Sequence, residues 1–214
     1  GSEMCIRDRL IGGDGDDTYV VDSTNDIVTE KFLEGTDTIR SSVTFTTSKN
    51  VENLTLTGID NINAAGNSLD NTLTGNSGNN TLNGSNGDDI LDGGLNNDIL
   101  IGGDGADTFI LSDGTDQIND FNINEGDKIS FADNLSYTIS QSASDLLVTV
   151  RSHGGFLLKG ISNSEFDADQ HILFIDTTAP NSPTSLTNTS EGNDNTPTIT
   201  GTAEAGSTVK LYNG

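Results

Sequence analysis

The sequence predicts an all-β fold in which short strands stack as a parallel β-solenoid. A nine-residue period predicts it, together with a glycine at the head of every unit and one large apolar residue at a fixed place near its end. From Gly66 the chain reads GNSLDNTLT, GNSGNNTLN, GSNGDDILD, GGLNNDILI and GGDGADTFI, ending at Ile110. The units open on Gly66, Gly75, Gly84, Gly93 and Gly102. Their sixth residues are Asn71, Asn80, Asp89, Asp98 and Asp107, and their eighth are Leu73, Leu82, Leu91, Leu100 and Phe109. A strand with a single inward apolar residue cannot bury a face by itself, so the units must stack.

Each unit reads as a six-residue turn followed by a three-residue strand. Glycine admits left-handed backbone and the close approach of neighbouring loops. The middle residue of the strand points inward and its neighbours outward. Two units make one 18-residue coil, so residues i and i+18 lie about 4.8 Å apart. Asn71, Asp89 and Asp107 then line one edge, and Asn80, Asp98 and Asp116 the other. Carboxylates so spaced repel one another, and an oxygen-seeking cation between the loops removes the repulsion.

The period runs beyond the glycine-rich units. It continues at Gly114, Asp116 and Ile118 and, after two extra residues, at Asp127 and Ile129. Upstream, GGDGDDTYV (Gly12–Val20) is a full copy with Asp17 and Tyr19. Asp26 and Val28 follow in phase, then Asp37 and Ile39 after two extra residues. Gly12–Ile39 therefore matches Gly102–Ile129, which suggests a duplicated array.

Composition agrees with a cation-dependent fold. The 214 residues carry 33 Asp+Glu against 9 Lys+Arg, a net charge of −24, and only 31% are hydrophobic. Such a chain lies near the composition of unfolded polypeptides. No Lys or Arg occurs between Asn50 and Asp127 to neutralise the acids. Nucleic acid is excluded as a partner, because its phosphates would be repelled. No apolar run approaches a membrane span. Cys5 is the sole cysteine, so no intramolecular disulfide can form.

The units resemble the haemolysin-type or RTX (repeats-in-toxin) calcium-binding repeat, GGxGxDxUx, strongly over Gly12–Val20 and Gly66–Ile110 and loosely in the segments that adjoin them. The resemblance implies a parallel β-roll with Ca²⁺ held in the turns by the sixth-position Asp and by loop carbonyls. Its expected side-chain ligands are Asp89 and Asp107 on one edge and Asp98 and Asp116 on the other. Asp17 is a further candidate, with its stacking partner expected upstream of the chain's start. The expected carbonyl ligands are those of Gly84, Gly87, Gly93, Gly94, Gly102, Gly103 and Gly105. Calcium suits an oxygen-only set; zinc would want His or Cys, and the repeats hold neither. Asn71 and Asn80 carry no charge, so the first two coils are expected to bind weakly or not at all and to form amide ladders instead. Leu69 and Asn96 replace the fourth-position glycine, and Asn67, Asn76 and Ser85 the second, so distorted loops are expected there.

The flanks divide by composition. Residues 1–9 (GSEMCIRDR) differ in texture from the rest and read as a cloning or assembly remnant, or else as a disordered native tail. Residues 10–65 hold the N-terminal copy and strand-like alternation at Thr38–Phe45 and Val51–Thr57, read as irregular solenoid coils with an independent small β domain as the alternative. Residues 66–131 form the roll. Residues 132–176 alternate again, at TISQ, Leu146–Arg151, Phe156–Lys159 and Ile172–Ile175, and are expected to form antiparallel strands that cap the last coil. His153 and His171, the only histidines, are expected at the surface or at strand ends. Residues 177–183 (TTAPNSP) read as a linker. Residues 184–214 resemble the first strands of bacterial Ig-like domains, an incomplete β-sandwich.

No catalytic pattern is present: no GxSxG, no HExxH, no Cys nucleophile with His. The DGD and NGDD runs lack the closing Glu and flanking helices of an EF-hand. The expected function is therefore a non-enzymatic, calcium-dependent folding module of a secreted or cell-surface protein, a large adhesin that meets host or cell-surface glycans or proteins through its other parts. Type I secretion is what the resemblance implies. The alternative is the non-catalytic C-terminal region of a secreted protease, lipase or polysaccharide-modifying enzyme.

Overall fold

The computed structural model describes residues 7–132, 135–151, 153–175, 187–188 and 199–200. The chain forms two compact units, Gly1–Ile175 and Asp176–Gly214.

The first unit is the solenoid, and the expected parallel stacking is what it shows. Strands run in chain order as β1 (Arg9–Ile11), β2 (Thr18–Val21), β3 (Ile27–Thr29), β4 (Thr38–Ser41), β5 (Phe45–Thr46) and β6 (Asn53–Leu56). They continue as β7 (Ala64–Ala65), β8 (Thr72–Thr74), β9 (Thr81–Asn86), β10 (Ile90–Asp92), β11 (Ile99–Asp104) and β12 (Thr108–Ile110). The last coil and cap supply β13 (Gly114–Ile118), β14 (Lys128–Ala132), β15 (Tyr137–Ser142), β16 (Asp145–Val150), β17 (Gly154–Leu158), a single helical turn α1 (Ala168–His171) and β18 (Ile172–Ile175). Alternate strands go to alternate walls. One sheet runs β18-β14-β12-β10-β8-β6-β4-β2, the other β15-β16-β17-β13-β11-β9-β7-β5, and β1 pairs with β3 alone.

Register follows the period. Leu73, Leu91 and Phe109 stack in line at 18-residue steps, as do Leu82 and Leu100 with Ile118. All six are 0% exposed, so the eighth position of every unit is the core. The first column extends through Tyr19, Ile39 and Leu54 at one end and Ile129 and Ile172 at the other. The two extra residues appear as one longer coil in each copy: Thr18 pairs with Thr38, and Thr108 with Lys128. The irregular 10–65 segment is solenoid throughout.

Several expectations need correction. Asp8 and Arg9 belong to the roll and not to a tail: the Asp8 N–H bonds Asp26 Oδ1 at 3.0 Å, and Arg9 pairs with Ile27. The cap is only partly antiparallel. The meander β15-β16-β17 is, but β17 lies parallel to β13 and β18 parallel to β14, so the chain adds a further strand to each wall. The histidines stand at strand ends as expected: His153, exposed beside Asp113, precedes β17, and His171 precedes β18, though it is buried among Phe121 and Phe166 with ring centroids 6.1 and 5.2 Å away. Ser85 (φ 88°) and Asn96 (φ 74°) keep the left-handed backbone that glycine would supply, so those loops are not remodelled by losing it.

In the second unit, Thr187–Asn188 (β19) and Ile199–Thr200 (β20) pair antiparallel. The linker 177–183, residues 1–6 and most of the Ig-like segment 184–214 lie outside the described residues.

Candidate metal centre

The stacked turns set the sixth-position side chains in two rows, and each carboxylate gives its two oxygens separate tasks. One oxygen joins the coils. Asp89 Oδ1 accepts the backbone N–H of Asn71 at 2.6 Å, Asp107 Oδ1 that of Asp89 at 2.9 Å, and Asp127 Oδ1 that of Asp107 at 3.0 Å. On the opposite edge Asp98 Oδ1 accepts from Asn80 at 2.7 Å and Asp116 Oδ1 from Asp98 at 2.9 Å.

The other oxygen is left over. Oδ2 of Asp89, Asp98 and Asp107 is buried with no hydrogen-bond partner. A carboxylate oxygen out of water and unpaired is strongly unfavourable, so it takes up a proton or a cation. The first-position glycines leave room for the latter. A Cβ on Gly84 would collide with Asp89 Oδ2 and the Gly102 carbonyl, one on Gly93 with Asp98 Oδ2, and one on Gly102 with Asp107 Oδ2. Each cradle is thus walled by oxygen and kept open by the missing side chain. Buried, unsatisfied, oxygen-only donors fit Ca²⁺.

The electrostatics point the same way. Burial pushes the Asp89 and Asp98 carboxyls up to about 7, against the help of the N–H each accepts. Neighbouring carboxylates raise them further: Asp107 acts on Asp89, and Asp116 on Asp98. Burial likewise lifts Asp107, Asp116 and Asp127 to about 6.

The expected ligands do not all stand alike. Asp116 and Asp127 have both oxygens bonded: Asp116 Oδ2 accepts from the Ser112 hydroxyl at 3.0 Å, and Asp127 Oδ2 from the Asn122 N–H at 2.8 Å. They close the rows without leaving an orphan. Asp17 has a stacking neighbour downstream: its N–H bonds Asp37 Oδ1 at 2.8 Å. Of the glycine carbonyls, those of Gly84, Gly93 and Gly102 face the cradles of Gly66, Gly75 and Gly84. The Gly87 carbonyl lies against Gly105 instead, and Gly94, Gly103 and Gly105 are left-handed turn residues backed onto the carbonyls of Asn76, Ser85 and Gly87. Asp37 and Asp127, in phase across the two extra residues, join the rows as well, although neither is among the expected ligands.

The asparagine coils satisfy themselves. Asn71 Nδ2 donates to the carbonyls of Val51 and Glu52, both at 3.1 Å. Asn67 Nδ2 donates to Ser48 and Val51, and Asn76 Nδ2 to Thr57 and Asp60. An amide N–H₂ occupies the role a cation would otherwise fill. Asn71→Asp is therefore expected to destabilise the calcium-free chain by about 1–3 kcal/mol, since it removes a buried donor and adds a carboxylate next to Asp89. Urea melts in chelator, variant against wild type, measure this.

Residues 7–28, 65–100 and 92–119 match the model of the RTX calcium-binding nonapeptide repeat, in 4 copies. No curated protein matches the chain. Among solved structures it is similar to the extracellular lipase LipA from Serratia marcescens, at 19% identity and a TM-score of 0.46, over 78% of this chain and 38% of the lipase. It is also similar to two subunits of the Azotobacter vinelandii mannuronan C5-epimerase. AlgE6R3 is 25% identical, with a TM-score of 0.43 over 65% of this chain and 94% of that one. AlgE6R2 is 23% identical, with a TM-score of 0.37 over 57% and 98%. The matched nonapeptides, over residues 7–28 and 65–119, support a calcium-binding repeat module. Among the described residues no helix is long and apolar enough to cross a membrane.

Proposed function

We propose that the chain is a calcium-dependent folding module, itself non-catalytic, of a secreted or cell-surface adhesin. The buried, unpartnered Oδ2 atoms of Asp89, Asp98 and Asp107 carry this reading. They make the roll incomplete without a cation, and calcium is plentiful outside cells and scarce within them. Export before folding suits the same chemistry, and type I secretion is what the resemblance to the repeat implies. The adhesin reading is supported by the separate unit from Asp176 onward and by the Ig-like sequence in it. Ligand contacts with glycans or proteins would belong to other parts of the parent protein.

Calcium titration of the chelator-treated chain, followed by circular dichroism, tests the folding claim. A cooperative gain of β signal is expected, and a spectrum that calcium does not change would refute it. The flanking reading frame tests the adhesin claim. Tandem Ig-like repeats are expected, and an upstream catalytic domain would replace the adhesin with a secreted enzyme.

A further inference from the structure

The longer coil of each copy brings a third carboxylate to the roll. Glu30 lies in the stretch that holds the two extra residues, at no sixth position, yet it is buried. Carboxylate oxygens of Asp17, Glu30 and Asp37 all lie within 4.8 Å of one another. Asp37 is 0% exposed and its Oδ2 has no hydrogen-bond partner. Gly12 opens the space: a Cβ there would meet Asp17 Oδ2, Glu30 Oε2 and the Tyr19 hydroxyl. At Gly84 the corresponding wall is Asp89 Oδ2 and the carbonyl of Gly102. Glu30 thus supplies a charged side-chain oxygen where the repeat supplies a neutral backbone one. The Lys31 ammonium is paired with Glu34 at 2.7 Å, and Lys31 meets Glu30 through its backbone N–H, which bonds Oε1 at 2.9 Å.

The second copy shows that this is not a general outcome of the longer coil. Ninety residues on, Asp120 takes the place of Glu30 and Phe109 that of Tyr19. Asp120 is one methylene shorter and accepts the N–H groups of Gly102 and Gly103, both at 3.0 Å. Glu30 reaches inward instead, and the Tyr19 hydroxyl donates to it.

We propose that Asp17, Glu30 and Asp37 form a three-carboxylate calcium site at the N-terminal end of the roll, with the Tyr19 hydroxyl beside the ion. It is a site of different make-up from those of the repeats, because one of its charges comes from outside the nonapeptide pattern. Ligand charge count tunes calcium affinity, so this site fills at lower calcium than the repeat cradles. Calcium here would hold the first coils together where the eighth-position column begins.

Terbium, a trivalent stand-in for calcium, tests it in the full chain by emission on tyrosine excitation. The chain has no Trp, so tyrosine is the antenna. Saturable emission that calcium competes away is expected. Tyr19→Phe should abolish most of it while leaving the β spectrum intact, since Phe109 already fills the equivalent place. Glu30→Gln should weaken terbium binding at least about tenfold, and Gly12→Ala, which fills the cradle, should do the same. Emission unchanged in Tyr19→Phe, or wild-type affinity in both Glu30→Gln and Gly12→Ala, overturns the proposal. If calorimetry still shows calcium uptake while the Tyr19-dependent emission is missing, this site alone falls and the repeat module stands. No uptake at all removes both.

Discussion

Stripping calcium from the chain at neutral pH is expected to unfold residues 84–131 and to spare residues 51–80 longest. The reason is where the unpaired charge lies. Asp89, Asp98 and Asp107 each keep a buried oxygen with no partner, whereas Asn67, Asn71 and Asn76 close their own hydrogen bonds to the coil before them. An ion bound only by the folded state stabilises it by about 2.7 kcal/mol at a hundredfold excess over its dissociation constant. Small domains have only about 5–15 kcal/mol in total, so losing two or three ions removes a large share. Hydrogen exchange in chelator reads this residue by residue. The N–H groups of Asp89, Asp98 and Asp107, which join coil to coil, should lose protection first. Uniform protection along the roll, or loss at Asn71 before Asp98, would contradict the assignment.

Acid is expected to stabilise the roll in chelator and to leave it nearly unchanged in saturating calcium. The buried carboxyls have an ordinary value near 3.8, and burial raises them to about 7 at Asp89 and Asp98 and about 6 at Asp107, Asp116 and Asp127. A carboxyl whose value is raised on folding binds its proton more tightly in the folded state. Folding is then favoured as pH falls from about 7 towards 4, and the gain is lost as pH rises through the folded values. In chelator the roll should therefore be more stable at pH 5 than at pH 8. With calcium present, protons compete with the ion. Each proton displaced lowers calcium affinity by about tenfold per pH unit below the folded value, but the proton bound in its place also favours the folded state, so the stability of the calcium-loaded roll should change little over the same range. Thermal melts at several pH values, with calcium and with chelator, give both slopes. Parallel slopes would mean that these carboxylates do not bind the ion.

The sequence made the stack legible because nine residues per unit put Leu73, Leu91 and Phe109 in one column with no insertion between them. It also made the two acidic edges legible, since a sixth-position residue keeps its edge wherever the period is unbroken. It hid what depends on side-chain direction. Nothing in the spacing separates Asp107, with its orphaned oxygen, from Asp116, which Ser112 satisfies. Glu30 was invisible for another reason: it belongs to no repeat position, and only the stacking of a longer coil brings it to Asp17 and Asp37. The parallel addition of β17 and β18 was missed because alternation marks a strand but not its partner's direction. Ser85 and Asn96 looked like defects because only the backbone shows that a non-glycine residue holds the left-handed turn.

The most direct measurement is the anomalous scattering of crystals grown in calcium. Peaks are expected in the glycine cradles, beside Asp89 Oδ2 and the Gly102 carbonyl on one edge and beside Asp98 Oδ2 on the other. Ordered, calcium-grown crystals with no peak in either cradle would show that the acidic turns stack without ions, and the account of the roll would be wrong.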